Sequence, residues 1–228
     1  YLKTSKNRDA LSLGLENFLT NIAQTMLFCE EINSIKLDNN GDVIEIERAG
    51  TEKLEKDLFI STFIIAGVNK YSRRFIHTSI RKPNMELSER FKSERNIRLT
   101  ACIEVDDNKN IVENIESPSH FCVLPLVGSE KHIMPVYLNS PDFEPDSERE
   151  SLLLIGDDYL ADKGVISEAG INRLILSESV ELYEKIVSYL TANKYRKLYL
   201  LIKGLKKSPG FEKNFNADWF KNEIIADY

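Results

Sequence analysis

The stretch INSIKLDNNGDVIEIE, residues 32–47, decides the first half of the fold. Ile32, Ile35 and Leu37 precede Asp38-Asn39-Asn40-Gly41-Asp42, and Val43, Ile44 and Ile46 follow it. Asn-Gly between two β-prone runs marks a tight hairpin, because both residues tolerate positive φ. Working outward, β-prone runs recur at Leu58–Ile65, Ile97–Val105, His120–Val127 and Ile133–Leu138. Upstream, Leu11, Leu15, Phe18, Leu19, Ile22, Ala23, Met26 and Leu27 form one apolar face of a helix over 10–28, with Asp9 as its cap. Residues 69–95 are polar and charged and read as partly helical.

Downstream the pattern changes period. Ile171, Leu174, Ile175, Leu182, Ile186, Tyr189 and Leu190 suit a long helix from about Glu168. Tyr195, Leu198, Tyr199, Ile202 and Leu205 suit a second, with Lys203, Lys206 and Lys207 in its last turn and Pro209-Gly210 as its stop. Asn216 could cap a last short helix carrying Trp219 and Phe220. Helix, strands, then helices reads as α+β: an antiparallel or mixed sheet covered by helices. The division expected is an α/β domain over 1–160 and a helical C-terminal extension, 161–228, packed on it.

Composition bounds the function. The 228 residues are 42% hydrophobic, enough to fill a core, and Gly (10) and Pro (7) are too few for a fibrous or low-complexity chain. A net charge of −6 disfavours nonspecific binding to polyanions. Cys29, Cys102 and Cys122 are widely spaced and sit among apolar residues, which excludes a CxxC site and reads as packed thiols in a reducing compartment. No apolar run approaches a membrane span, and residues 1–9 lack the apolar stretch of a signal peptide, so a soluble cytoplasmic protein is expected.

Several chemistries fail on spacing. The glycines form neither GxGxxG nor GxxxxGK[ST], and the histidines and serines form neither HExxH nor GxSxG. Asp142, Glu144, Asp146, Glu148 and Glu150 alternate, but a calcium loop counted from Asp142 would need Gly and Glu where Ser147 and Leu153 stand. A solvated acidic loop is the simpler reading, and Asp157-Asp158 reads as a turn rather than a metal pair. On one helical face, Lys70, Arg73, Arg74, His77 and Arg81, with Tyr71 and Phe75 beside them, could grip the phosphates of a nucleotide or nucleic acid. The alternative is an ordinary solvated face. If the segment is a strand, Arg73, His77 and Arg81 still share a side.

A more specific pattern runs from Ser119-His120-Phe121-Cys122-Val123-Leu124-Pro125-Leu126 to Met134-Pro135-Val136-Tyr137-Leu138-Asn139-Ser140 and Asp142-Phe143. It continues through Ser147-Glu148-Arg149-Glu150-Ser151-Leu152 to Ile171-Asn172-Arg173-Leu174-Ile175. This resembles the segment that follows the ATPase module in sacsin-type proteins and their bacterial relatives. There a strand ending in Leu-Pro leads to Pro-x-x-x-Asn, a Phe, an Arg-Glu or Asp-Arg-Arg step, and a Trp-Asn that opens a long helix. The family belongs to the gyrase, heat-shock chaperone, histidine kinase and MutL (GHKL) ATPase superfamily. Thr25 to Ile35 resembles the family's apolar helix end running into a first strand, so the likeness spans about residues 15–190. Tyr137, Ser140-Pro141 and Ile171 depart from the family pattern.

The resemblance implies a transducer or middle-type domain of the ribosomal protein S5 domain 2-like kind, downstream of a nucleotide-binding domain. It implies that this chain does not hydrolyse ATP alone, because the superfamily's Glu/Asn helix, Asp-x-Gly-x-Gly turn and Gly-rich lid have no counterpart here. ATP and magnesium are expected only for the parent protein. The expected partner is its N-terminal ATPase domain, with a homodimer as a further possibility. In the superfamily the second domain supplies a cation to the terminal phosphate in the closed state. Lys131 and Arg149 are the candidates, against the plainer readings of a hairpin-loop lysine and a structural ion pair. Asn139 reads as a tie between a strand end and a loop. The chain starts at Tyr1 and its first methionine is Met26, which suits a cut just after a missing ATPase domain.

Overall fold

The computed structural model describes residues 5–39, 41–113, 117–131 and 134–203. Its elements are α1 (Ser5–Phe28), β1 (Ser34–Asn39), β2 (Asp42–Glu55), β3 (Leu58–Ala66), β4 (Lys70–Pro83), α2 (Met85–Phe91), β5 (Asn96–Val105), β6 (His120–Cys122), β7 (Leu124–Pro125), β8 (Tyr137–Asn139), α3 (Glu168–Ala192) and α4 (Tyr199–Lys203). The fold is α+β. One eight-stranded sheet runs in the order β1-β2-β3-β4-β5-β8-β6-β7, antiparallel except where β6 pairs parallel to β8.

The Asn-Gly hairpin forms where the sequence places it. Ser34 lies opposite Glu47 and Asn39 opposite Asp42, and Gly41 has φ +98° and donates its N–H to Asp38 Oδ1 at 3.0 Å. β3 follows as expected.

Residues 70–83 correct the sequence reading: they are a 14-residue strand, and only α2 within 69–95 is helical. A helical count groups the charges, but the β-prone Phe75, Ile76, Thr78 and Ile80 satisfy both faces of a pleat. β4 pairs with β3 on one side and β5 on the other, so its backbone polar groups are used by the ladders. Alternation then sends Ile76 and Thr78 to one face of the sheet and Phe75 to the other.

Each face carries its own core. On one, α3 lays Ile171, Ile175, Leu176, Leu182, Ile186 and Leu190 against Leu58, Ile60, Ile76, Leu99, Ala101 and Ile103. On the other, α1 lays Ile22, Ala23, Met26 and Leu27 against Ile46, Phe63, Phe75, Cys102, Phe121 and Tyr137. α3 begins at Glu168, as its apolar period predicts, with Ser167 as N-cap accepting from the Gly170 N–H at 3.0 Å. α1 is already helical at Ser5, so Asp9 lies inside the helix and does not cap it. The expected strand over 120–127 is broken at Val123, whose φ is +65°, into β6 and β7. α4 lies within the span expected for the second C-terminal helix and begins at Tyr199 rather than near Tyr195. Lys206, Lys207, Pro209-Gly210, Asn216, Trp219 and Phe220 fall outside the described residues. None of the described helices is long and apolar enough to cross a membrane.

One ion pair joins α1 to the sheet. Arg73 Nε and Nη2 donate to the two carboxylate oxygens of Glu104 at 2.8 and 2.6 Å, and Nη1 donates to the Thr20 carbonyl at 2.5 Å. Both side chains are about nine-tenths buried, at 12% and 9% exposure. Losing one partner strands the other charge, a cost of about 3–5 kcal/mol, whereas replacing both with apolar groups is often neutral. Arg73→Met is therefore expected to lower unfolding free energy by about that amount in chemical denaturation, and adding Glu104→Leu to recover most of the loss.

Candidate functional site

The residues quoted between 119 and 175 meet at one corner of the sheet. The bend at Val123 leaves its N–H without a ladder partner, and Asn139, at the end of β8, accepts it on Oδ1 at 2.9 Å. Asn139 is thus a strand-end tie, as its position suggested. Cys122 Sγ lies 3.4 Å from the Phe143 carbonyl. The turn after β7 is held by Ser129, whose Oγ donates to the Leu126 carbonyl at 2.7 Å and accepts from the His120 N–H at 3.1 Å.

Asn172 and Arg173, buried in the second turn of α3, fix the irregular chain from 144 to 158. Asn172 accepts from the Glu144 N–H at 2.8 Å and donates to the carbonyls of Glu144 and Leu153, both at 2.7 Å. Arg173 donates to the carbonyls of Leu154 at 2.8 Å and Gly156 at 2.6 Å, and to Asp158 at 2.5 Å. Gly170 is required beside them: a Cβ there would stand 2.3 Å from the Asp158 carbonyl oxygen.

Between these anchors, Asp146 shapes the turn that presents Arg149. Its Oδ1 accepts from the Glu150 N–H at 2.9 Å, its Oδ2 accepts from Ser151 Oγ at 2.7 Å, and its carbonyl accepts from the Arg149 N–H at 3.0 Å. Arg149 has φ +55° and is exposed. Burial pushes the Cys122 thiol up in pKa, and the adjacent Arg149 guanidinium opposes that shift. The neighbouring turn reaches the same place. Gly128 has φ +133°, and a Cβ on it would lie 2.8 Å from the Cβ and carbonyl oxygen of Glu150. Lys131 ends the 3₁₀ turn Ser129–Lys131 that follows. The two candidate cations thus stand on loops in direct contact, although the Lys131 side chain is outside the described residues.

The alternating acids do separate jobs. Asp142 holds Arg98 through both carboxylate oxygens, at 3.2 and 2.8 Å, Asp146 closes the turn, and Asp158 pairs with Arg173. Among the described residues no cluster of three His, Cys, Asp or Glu could hold a metal ion.

The basic segment does not make one face. Arg73 turns inward to Glu104, and Arg74 lies on the opposite side of β4, with Asp107 at 3.1 Å. Lys70 is exposed at the start of the strand, and Arg81 is exposed near its end, on the Arg73 side. Sequence reasoning did not find the chain Thr51–Ser61–His77, with Oγ1···Oγ at 2.7 Å and Oγ···Nε2 at 2.9 Å. Ser61 is fully buried, so this contact is no accessible nucleophile. Its only trace in sequence is the serine inside an otherwise apolar strand.

A scan against family models finds no match to the chain, and neither do searches of the curated proteins and of the solved structures.

Burial, reinforced by the charge of Arg48, lowers the His77 pKa to about 4 from its ordinary 6.5. The ring is neutral when folded at pH 7, and the unfolded chain binds the proton more readily. Its stabilising share is therefore complete above pH 6.5 and is lost as pH falls from 6.5 through 4. That share is at most about 3 kcal/mol. His77→Gln should flatten the wild-type decline in denaturation midpoint across this window; an unchanged slope would remove His77 from the account.

Proposed function

We propose that this chain is the transducer-type domain of a sacsin-like GHKL ATPase, coupling ATP binding in a preceding domain to a conformational change of chaperone or defence use. The observation that carries the reading is the convergence at one corner. Residues spread from Cys122 to Asn172 are linked there in pairs: Val123 to Asn139, Cys122 to Phe143, and Glu144, ahead of the Arg149 loop, to Asn172. The α+β sheet with helices on both faces suits a transducer-like fold of the ribosomal protein S5 domain 2-like kind.

The chemistry this site offers is a delivered charge. Arg149 projects on a tight, Asp146-braced turn, beside Cys122 and with no carboxylate ion-pair partner among the described residues, and Lys131 stands on the adjoining turn. A cation held this way can reach a terminal phosphate bound to another domain only when the two domains close. It then stabilises charge on the transferring phosphoryl group without holding the ground state. ATP and magnesium belong to the partner domain in this reading.

The test is ATP hydrolysis by the full-length protein. Arg149→Ala or Lys131→Ala should lower kcat by about 100-fold or more, with ATP affinity changed by less than about threefold. Unchanged kcat in both variants would overturn the assignment of the cations. Submicromolar binding of magnesium-ATP by the 228-residue chain itself would overturn the transducer reading.

A further inference from the structure

α1 covers only part of its side of the sheet. Its C-terminal half packs over Ile46, Phe63 and Phe75, and Leu15 to Thr20 continue toward Tyr71 and Arg73. Among the described residues, no helix covers the opposite end of the same face. The strand register places Lys53 opposite Phe59, Phe59 opposite His77, Ser79 opposite Thr100 and Arg81 opposite Arg98, all pointing to this side. Lys53, Ser79, Arg81 and Arg98 are exposed, and Phe59 and His77 are half-buried.

Two features of this area are not explained by folding. First, Arg81 and Arg98 are like charges directly opposite each other, an arrangement that destabilises a sheet. Asp142 neutralises Arg98, but Arg81 and Lys53 have no ion-pair partner among the described residues. The area is therefore positive on a chain whose net charge is −6. Second, Phe59 and His77, neighbours across β3 and β4, stack on each other with ring centroids 5.8 Å apart and planes 26° apart, and each is only half-buried. His77 is neutral at pH 7, so its ring contributes a π-face rather than charge. At about 3.3 Å per residue and 4.8 Å per strand, Arg81 lies about 13 Å along β4 from His77, and Lys53 about 5 Å across from Phe59 and about 10 Å across from His77. That span is two to three nucleotides of an extended single strand.

The geometry points to the open sheet face built by Lys53, Phe59, His77 and Arg81 as a binding surface for single-stranded nucleic acid, with a base on the Phe59–His77 stack and phosphates on Lys53 and Arg81. Stacking and phosphate contacts together are how sheet surfaces hold single strands without reading sequence. Of the basic residues on β4, only Arg81 takes part. Arg73 is committed to Glu104, while Lys70 and Arg74 face the other way. An acidic peptide would satisfy the cations but would leave the ring pair unused.

The test is fluorescence anisotropy with a short labelled oligothymidylate at about 50 mM salt, followed over rising salt. Each cation should contribute about 0.7 to the slope of log affinity against log salt, and Lys53→Glu with Arg81→Glu should weaken binding by about tenfold or more. Phe59→Leu keeps an apolar side chain at this half-buried position and should weaken binding by about fivefold or more. Lys70→Glu makes the same charge change on the other face and should leave affinity within about twofold. No binding at low salt, binding that survives all three substitutions on the open face, or equal binding of polyglutamate would each overturn the proposal.

Discussion

Asn172 and Arg173 are neighbours in the second turn of α3 and take up six polar groups from the chain between 144 and 158. Buried backbone groups without partners cost about 1–3 kcal/mol each, so an irregular stretch this long cannot lie against a core unless something supplies those partners. Here the supplier is a helix already fixed by its apolar face. The consequence runs outward. With 144–158 held, Asp146 can shape its turn, Arg149 is presented at a defined place, and the Gly128 turn can rest on Glu150.

The second constraint is that β4 serves two cores at once. Its even positions meet α3 and its odd positions meet α1, so the sheet is covered on both sides near its centre. Arg73 is part of this arrangement: a charged side chain can lie under α1 because Glu104 and a helix carbonyl absorb all of its donors' direction. α1 does not extend over the far end of β4, and this leaves one face there open to solvent with cations and an aromatic pair on it.

Much of the fold was legible in the sequence where one local signal dominated. The Asn-Gly turn fixed the first hairpin, and the 3.6-residue apolar period fixed α3 almost to the residue, with Ser167 and Glu168 at its start. β4 was misread because its charges also repeat at helical spacing. The deciding factor, a partner strand on each side, is a tertiary fact that no window of the segment contains. The candidate corner was not legible from local signals, since Asn139, Arg149 and Asn172 are far apart in sequence and each has an ordinary structural reading. The bonds made by Asn172 and Arg173 left one local trace, two polar residues on the apolar face of a helix. The open face left none: Lys53, Phe59, His77 and Arg81 come together only through the register of three strands.

The central claim is that the irregular segment and α3 form one cooperative unit, closed by Asn172 and Arg173. Native-state hydrogen exchange reads this directly. Leu153 donates its N–H to the Glu144 carbonyl, inside the bonded segment, at 3.1 Å. The account predicts that this amide and those in the first half of α3 open with the same free energy, as members of one unit do. Exchange at Leu153 that is faster by about two orders of magnitude or more, with α3 still protected, would mean the segment opens by itself and would contradict the account.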